Sequence, residues 1–68
     1  MDQNESLERF KAWLTEAESD LHETAQTLEK ELNSRVVDFT LVRMLDQNRA
    51  YQLGKVNSLQ AVVKTLTL

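Results

Sequence analysis

The chain has 68 residues with no cysteine, no proline, one glycine and a net charge of −3. This length allows one domain, 1–68, near the lower limit for folding alone, and the lack of cysteine excludes disulfides and thiolate metal sites. Scarce turn residues favour an all-α protein, and no apolar run is long enough to cross a membrane. The polar, acidic N-terminal sequence is unlike a signal peptide, so we expect a cytoplasmic protein.

The two halves of the chain carry opposite charge. Residues 1–34 hold nine acidic and three basic side chains, and residues 35–68 hold two acidic and five basic ones, giving net charges of −6 and +3. Opposite charges favour packing of the halves side by side, within one chain or between chains. A net acidic chain with scattered basic residues argues against nucleic-acid binding. The acidic half leaves one alternative, a protein that imitates nucleic-acid phosphates in a basic groove of its target.

The first predicted element is an amphipathic helix over about 5–32. Apolar and small residues recur every three or four positions on one face, and Trp13 lies at the edge of that face. The face consists of Leu7, Phe10, Leu14, Ala17, Leu21, Thr24 and Leu28. Trp13 is the candidate anchor for a partner if its side chain proves to be exposed.

Asn33 and Ser34 mark the predicted break between two helices. Asparagine tolerates the left-handed conformation that ends a helix, and serine caps the start of the next one. We therefore predict a second helix over about 35–66 and an antiparallel helical hairpin. Facing residues would then have numbers that sum to about 68.

The second predicted helix carries a stripe of small residues: Ala50, Gly54, Ser58 and Ala61. Small residues four positions apart allow a neighbouring helix to approach closely. The hairpin register would place Gly54 opposite Trp13 and Leu14, so we predict a close helix contact there. In the alternative interpretation Gly54 ends the second helix and Asn57 caps a third, which gives a three-helix arrangement.

Three polar residues, Asn48, Arg49 and Gln52, lie on or beside the apolar face of the second helix. We interpret them first as a hydrogen-bonded interface layer that fixes register or oligomeric state. Arg49 would pair in that layer with Glu18 or Asp20.

A second interpretation of the same three residues is a ligand site. Together with Tyr51 and Lys55 they would line a polar pocket between subunits. An arginine there offers a planar fork of donors, so such a pocket would bind a small anion or a nucleotide.

No residue pattern in the chain indicates catalysis, a cofactor or a metal. His22 is the single histidine, and with Glu18 it supplies two potential ligands where a closed zinc site needs four. The sequence has no glycine-rich phosphate loop and no His-Glu-x-x-His motif. We therefore predict that the protein is not an enzyme and that it has no cofactor.

A lone two-helix hairpin has one internal seam, and its burial barely offsets the conformational entropy of folding. Several apolar residues lie off that seam and would remain in water: Val36, Val37, Phe39, Leu41, Met44, Val62 and Leu68. We predict that the chain assembles with itself, as a dimer or larger oligomer, into a coiled-coil-like bundle. The predicted function is a protein-interaction module that binds itself and another protein, and neither membranes nor nucleic acid.

The run Arg49-Ala-x-x-x-Gly54-Lys55-Val56-x-x-Leu59-x-x-Val62 lies in the C-terminal third of the chain. It resembles a pattern of short all-helical bacteriophage proteins, in which Gly-Arg/Lys-Val/Ile-x-x-Leu lies inside a C-terminal helix. This chain has Leu53 where those proteins often have glutamine. The resemblance implies a phage accessory, virion-assembly or host-directed inhibitor protein that acts by binding.

Overall fold

The computed structural model describes residues 3–67, which form two α-helices. Helix α1 spans Gln3–Leu32 and helix α2 spans Phe39–Leu66, and residues 33–38 connect them. The helices pack against each other along their length as a rod 52 Å long and 17 Å wide. No strand occurs between residues 3 and 67. The predicted all-α helical hairpin is confirmed.

Hydrogen bonds at both ends of the hairpin define its register. The Gln3 side-chain Nε2 donates to the Leu66 carbonyl oxygen at 2.8 Å, where α1 begins and α2 ends. At the opposite end the Asp38 backbone N–H donates to Glu31 Oε1 at 2.9 Å. The residue numbers in each pair add up to 69. The helices are therefore antiparallel, within one residue of the predicted register.

Helix α2 begins four residues later than expected, because Asp38 caps it. The Asp38 backbone is extended, with φ −86° and ψ 100°, and its Oδ1 accepts from the N–H groups of Thr40 at 3.0 Å and Leu41 at 3.1 Å. A carboxylate satisfies two unpaired amides here and also interacts favourably with the positive end of the helix dipole.

The predicted roles of Asn33 and Ser34 are wrong in detail. No residue between 3 and 67 has a positive φ, so Asn33 does not end α1 in a left-handed conformation. Its side-chain Nδ2 instead donates to the Glu29 carbonyl oxygen at 3.0 Å. Ser34 Oγ donates to the Val36 carbonyl oxygen at 3.2 Å, inside the linker. Asn33 therefore ends α1 through its amide, and Ser34 shapes the linker.

Gly54 lies inside α2 and neither ends nor interrupts it. The helix is continuous from Phe39 to Leu66, and the φ of Gly54 is not positive. The apolar face on both sides of Gly54 provides enough packing to offset the roughly 1 kcal/mol that glycine costs in a helix. The alternative of three helices is wrong.

The hydrophobic core is a thin seam. In the described part of the chain only Ala17, Leu28 and Val56 are buried, and each keeps a few per cent of its surface exposed. The other apolar residues of the seam, such as Leu21 and Leu45, are half-buried. Two helices cannot enclose a side chain on all sides, so most of the apolar surface of this hairpin stays partly in contact with water.

Candidate functional site

The seam divides the surface of the hairpin into two long sides, which follow from the rotation of about 100° per residue in each helix. We call one the Trp13 side. It carries Trp13 and Asp20 on α1 and Met44, Tyr51, Lys55 and Val62 on α2. We call the other the Leu53 side, which carries Ala25 and Leu32 on α1 and Val42, Arg49 and Leu53 on α2. Each side is an elongated surface with apolar and polar residues in alternation.

Large apolar side chains are exposed on both sides of the hairpin and at its linker end. Tyr51 is 74% exposed, Met44 52% and Trp13 48%, and all three lie on the Trp13 side. The remainder are Leu32, Val36, Phe39, Leu53 and Val62. The predicted exposure of Val36, Phe39, Met44 and Val62 is confirmed, whereas Val37 and Leu41 are half-buried and Leu68 lies outside the described residues. The exposed apolar side chains therefore lie on both long sides as well as at the linker, and not on one face alone.

Trp13 satisfies the condition set for a partner anchor. Its indole ring is held by an edge-to-face contact with the Phe10 ring, with centroids 5.0 Å apart and planes at 89°. Such a contact fixes the ring while leaving half of it accessible. A large aromatic side chain that is already ordered loses little entropy when a partner covers it.

A cleft of about 300 Å³ opens on the Trp13 side near the middle of the rod. Its lining residues are Ala17, Asp20, Asn48, Tyr51, Gln52 and Lys55. The hairpin thus brings together four of the five residues that were grouped as a ligand pocket. Arg49 is not among them, and Asp20 from α1 takes part instead. The sequence alone did not reveal Asp20 as a pocket residue, because its position depends on the register between the helices.

Arg49 faces the Leu53 side and pairs within its own helix. Its Nη2 lies 2.7 Å from Asp46 Oδ1, and both side chains are at least half exposed. It therefore pairs neither with Glu18 nor with Asp20 in the hairpin, and that prediction is wrong. A solvated pair one helical turn apart adds little stability. Asp46 was the better partner because it lies three residues from Arg49 and needs no tertiary contact.

Within one chain the three polar residues do not form a buried layer. Asn48 and Arg49 are exposed, and Gln52 is half-buried. Gln52 Oε1 is itself inaccessible to solvent and has no hydrogen-bond partner, which is unique among side-chain oxygens and nitrogens of the described residues. An unsatisfied buried acceptor costs about 1–3 kcal/mol. A polar layer that includes Asn48 and Gln52 and forms only between chains stays a prediction.

The stripe of small residues faces away from α1. Ala50, Gly54, Ser58 and Ala61 are all exposed, and a Cβ added to Gly54 would meet no atom within 4 Å. The predicted close contact of Gly54 with Trp13 and Leu14 is therefore wrong in the hairpin. The larger apolar residues of α2, including Val56 and Leu59, bury more area against α1 and turn the small residues outward.

Other candidate chemistry stays at the surface. His22 is exposed, and no group of three His, Cys, Asp or Glu residues within 3–67 is arranged to hold a metal ion. Neither helix, over its described length, is long and apolar enough to span a membrane. Comparison of the chain with protein-family models, with curated proteins and with solved structures finds no match.

Proposed function

We propose that the protein is a non-catalytic helical module that self-associates and works through protein–protein contacts. The hairpin is the building block, and association of copies completes a helical bundle. The observation that carries this proposal is the row of large apolar side chains left exposed along the rod. The resemblance of the C-terminal run to short helical phage proteins fits an accessory or assembly role of this kind.

The surface area of the single chain supports association. The accessible surface is 5392 Å², whereas a compact monomer of 7.9 kDa exposes about 4,400 Å². The excess is close to the roughly 800 Å² that each partner buries in a standard protein–protein interface. One additional contact of ordinary size would give the chain the surface expected of a compact protein.

The charges of the two helices support packing between copies. Helix α1 contains eight acidic and three basic side chains, and α2 contains one acidic and four basic, giving net charges of −5 and +3. The ion pair Arg49–Asp46 lies within α2, so it does not change the difference in net charge between the two helices. The opposite net charges of the two helices therefore favour contact between α1 of one copy and α2 of another.

The alternative of a small-anion site gains less support. The central cleft holds one cation, Lys55, and one carboxylate, Asp20, and it lacks Arg49. A carboxylate in the lining repels an anion and offsets the attraction of the lysine. We therefore assign the cleft to the surface through which copies associate.

Sedimentation equilibrium of the purified protein tests the proposal. Over a concentration range of about 1–200 μM we expect a mass of at least twice 7.9 kDa at the upper end, with reversible dissociation on dilution. A constant mass of 7.9 kDa over the whole range, together with a cooperative thermal transition, would show that the hairpin is complete as a monomer and that the proposal is wrong.

A further inference from the structure

We infer that the Trp13 side is the surface that receives a second copy, in a two-fold dimer that packs α1 of each chain against α2 of the other. This inference rests on the proposed self-association and specifies its interface. In this dimer the two linkers lie at the same end of a four-helix bundle.

The Trp13 side is favoured because its apolar residues extend along the rod. Met44, Tyr51 and Val62 lie on one line of α2, at spacings of seven and eleven residues, and Trp13 lies beside them on α1. These spacings fit the three-four alternation of a helix that packs along its length against another. On the Leu53 side, Leu32 is exposed at the linker end, and Leu53 alone is exposed near the middle.

The size of this side matches what a stable dimer requires. The rod measures 52 by 17 Å, so a flat side has a projected area of about 900 Å². A standard interface buries about 800 Å² per partner. A second hairpin laid lengthwise on the Trp13 side reaches that area, whereas contact at one end would not.

The charges of the helices determine which helix of the partner lies opposite. Two hairpins stacked on this side have two symmetric arrangements. With the two-fold axis along the rod, α1 faces the partner's α2; with the axis across the rod, each helix faces its own copy. The second arrangement places α1, with a net charge of −5, against an identical α1, and brings Glu16 close to the partner's Asp20. Like charges in contact are unfavourable, so the axis along the rod is preferred.

The register found in the hairpin places complementary groups together in the preferred arrangement. Residues level with each other have numbers that add up to about 69, so Lys55 lies close to the level of the partner's Glu16. The partner's Trp13 lies level with the part of α2 between Tyr51 and Val62. Ser58 lies there at the outer edge of the Trp13 side, seven residues after Tyr51, and its small side chain leaves room for a large ring. Opposite charges and complementary sizes thus coincide on one surface.

A matched pair of variants tests which side is used. Met44 and Leu53 are exposed to a similar degree, 52% and 48%, on opposite sides of α2. We expect Met44→Glu to raise the dimer dissociation constant at least about tenfold, because it places a carboxylate in an apolar contact that faces the acidic helix. Leu53→Glu, with the same change in charge, should raise it less than about threefold. The reverse order would overturn the assignment of the side.

Distance measurements test the orientation. The chain has no cysteine, so Arg35→Cys in the exposed linker accepts a single nitroxide label per chain. Pulsed electron–electron double resonance should give a distance of about 15–30 Å between the two labels of the inferred dimer, since neighbouring helices lie about 10 Å apart. A distance near 50 Å, the length of the rod, would show the axis across the rod and overturn the orientation.

The molecular mass in solution distinguishes failure of the inferred interface from failure of the proposed self-association. A dimer that is insensitive to Met44→Glu, or that has distant linkers, contradicts the inferred interface and leaves self-association intact. A trimeric mass contradicts the two-fold pairing, because an odd number of copies leaves one chain without a two-fold partner. A constant monomer mass contradicts both proposals, and the label would then give no defined distance.

Discussion

Gln52 occupies a position on α2 where the helical repeat calls for an apolar residue. Leu45 lies seven residues before it and Val56 four residues after it, and both belong to the seam. The amide oxygen of Gln52 is buried there without a hydrogen-bond partner. Burial of this oxygen without a hydrogen bond lowers the stability of the contact between α1 and α2.

Gln52→Leu should therefore stabilise the hairpin. It removes an unsatisfied acceptor and adds apolar area to the seam, which together are worth about 1–2 kcal/mol in the free energy of unfolding. Urea denaturation at a fixed protein concentration measures this change. Gln60→Leu serves as the control, because it makes the same change at an exposed position of the same helix, and it should give no comparable gain. Loss of stability in Gln52→Leu would show that a donor from a second copy or a bound water holds the oxygen.

Gly54→Ala should stabilise α2 by about 0.5–1 kcal/mol. Glycine inside a helix costs that amount relative to alanine, and the new methyl group meets no atom within 4 Å. The reciprocal change Ala50→Gly, at a matching exposed position of the same stripe, should destabilise by a similar amount. Thermal unfolding followed by circular dichroism measures both. A destabilised Gly54→Ala would mean that another helix packs closely on the small stripe in the assembly.

At the level of single residues the sequence predicted exposure better than contacts. The periodicity of α1 identifies Ala17 and Leu28 as seam residues and places Trp13 at the edge, as found. It could not show which of the two faces of α2 meets α1, because the small stripe and the apolar stripe both have helical spacing. The outcome depends on the area that each stripe buries, which is a property of the packed pair. The predicted partner of Arg49 is wrong for another reason, because Asp46 in the same helix competes with the more distant carboxylates of α1.

Asp38 is the residue that determines where α2 begins. Asp38→Ala removes a cap that accepts from two backbone amides, so the free energy of unfolding should fall by about 1 kcal/mol. Ser34→Ala is the control, because Ser34 looks like the cap in the sequence but its hydroxyl bonds only within the linker. Its effect should stay within about 0.5 kcal/mol. Equal losses in the two variants would show that the helix starts earlier in solution than in the structure.

At the level of elements the two helices and their order were predictable. The long three-four repeat of α1 and the lack of proline leave few other folds for the chain. The start of α2 was harder to predict from the sequence, because Ser34 and Asp38 are both good capping residues. Between these two residues, the β-branched Val36 and Val37 favour extended backbone, and this preference moves the start of the helix to Asp38.

The whole molecule should melt at a temperature that depends on its concentration. If association completes the fold, dilution removes the contribution of the interface to stability, and the midpoint of unfolding falls. Scans of helicity at about 2 and 200 μM should differ by several degrees, since about 1 kcal/mol shifts the midpoint of a small domain by roughly 4–8 °C. Met44→Glu should reduce this dependence, whereas Leu53→Glu should keep it. A midpoint independent of concentration in the unchanged protein would contradict the coupling of folding to assembly.

The hydrogen bond from Gln3 to the Leu66 carbonyl oxygen places the first turn of α1 beside the last turn of α2. Tension applied at these two points acts across the seam, at right angles to the rod, and is borne by one layer of side chains at a time. The hairpin would then open like a zipper, from the Gln3 end toward the linker, at low force. The same rod pulled along its axis, from the linker at one end and the helix ends at the other, would load all its layers together. The mechanical strength of an assembly built from this unit therefore depends on which points of the chain are attached to its surroundings.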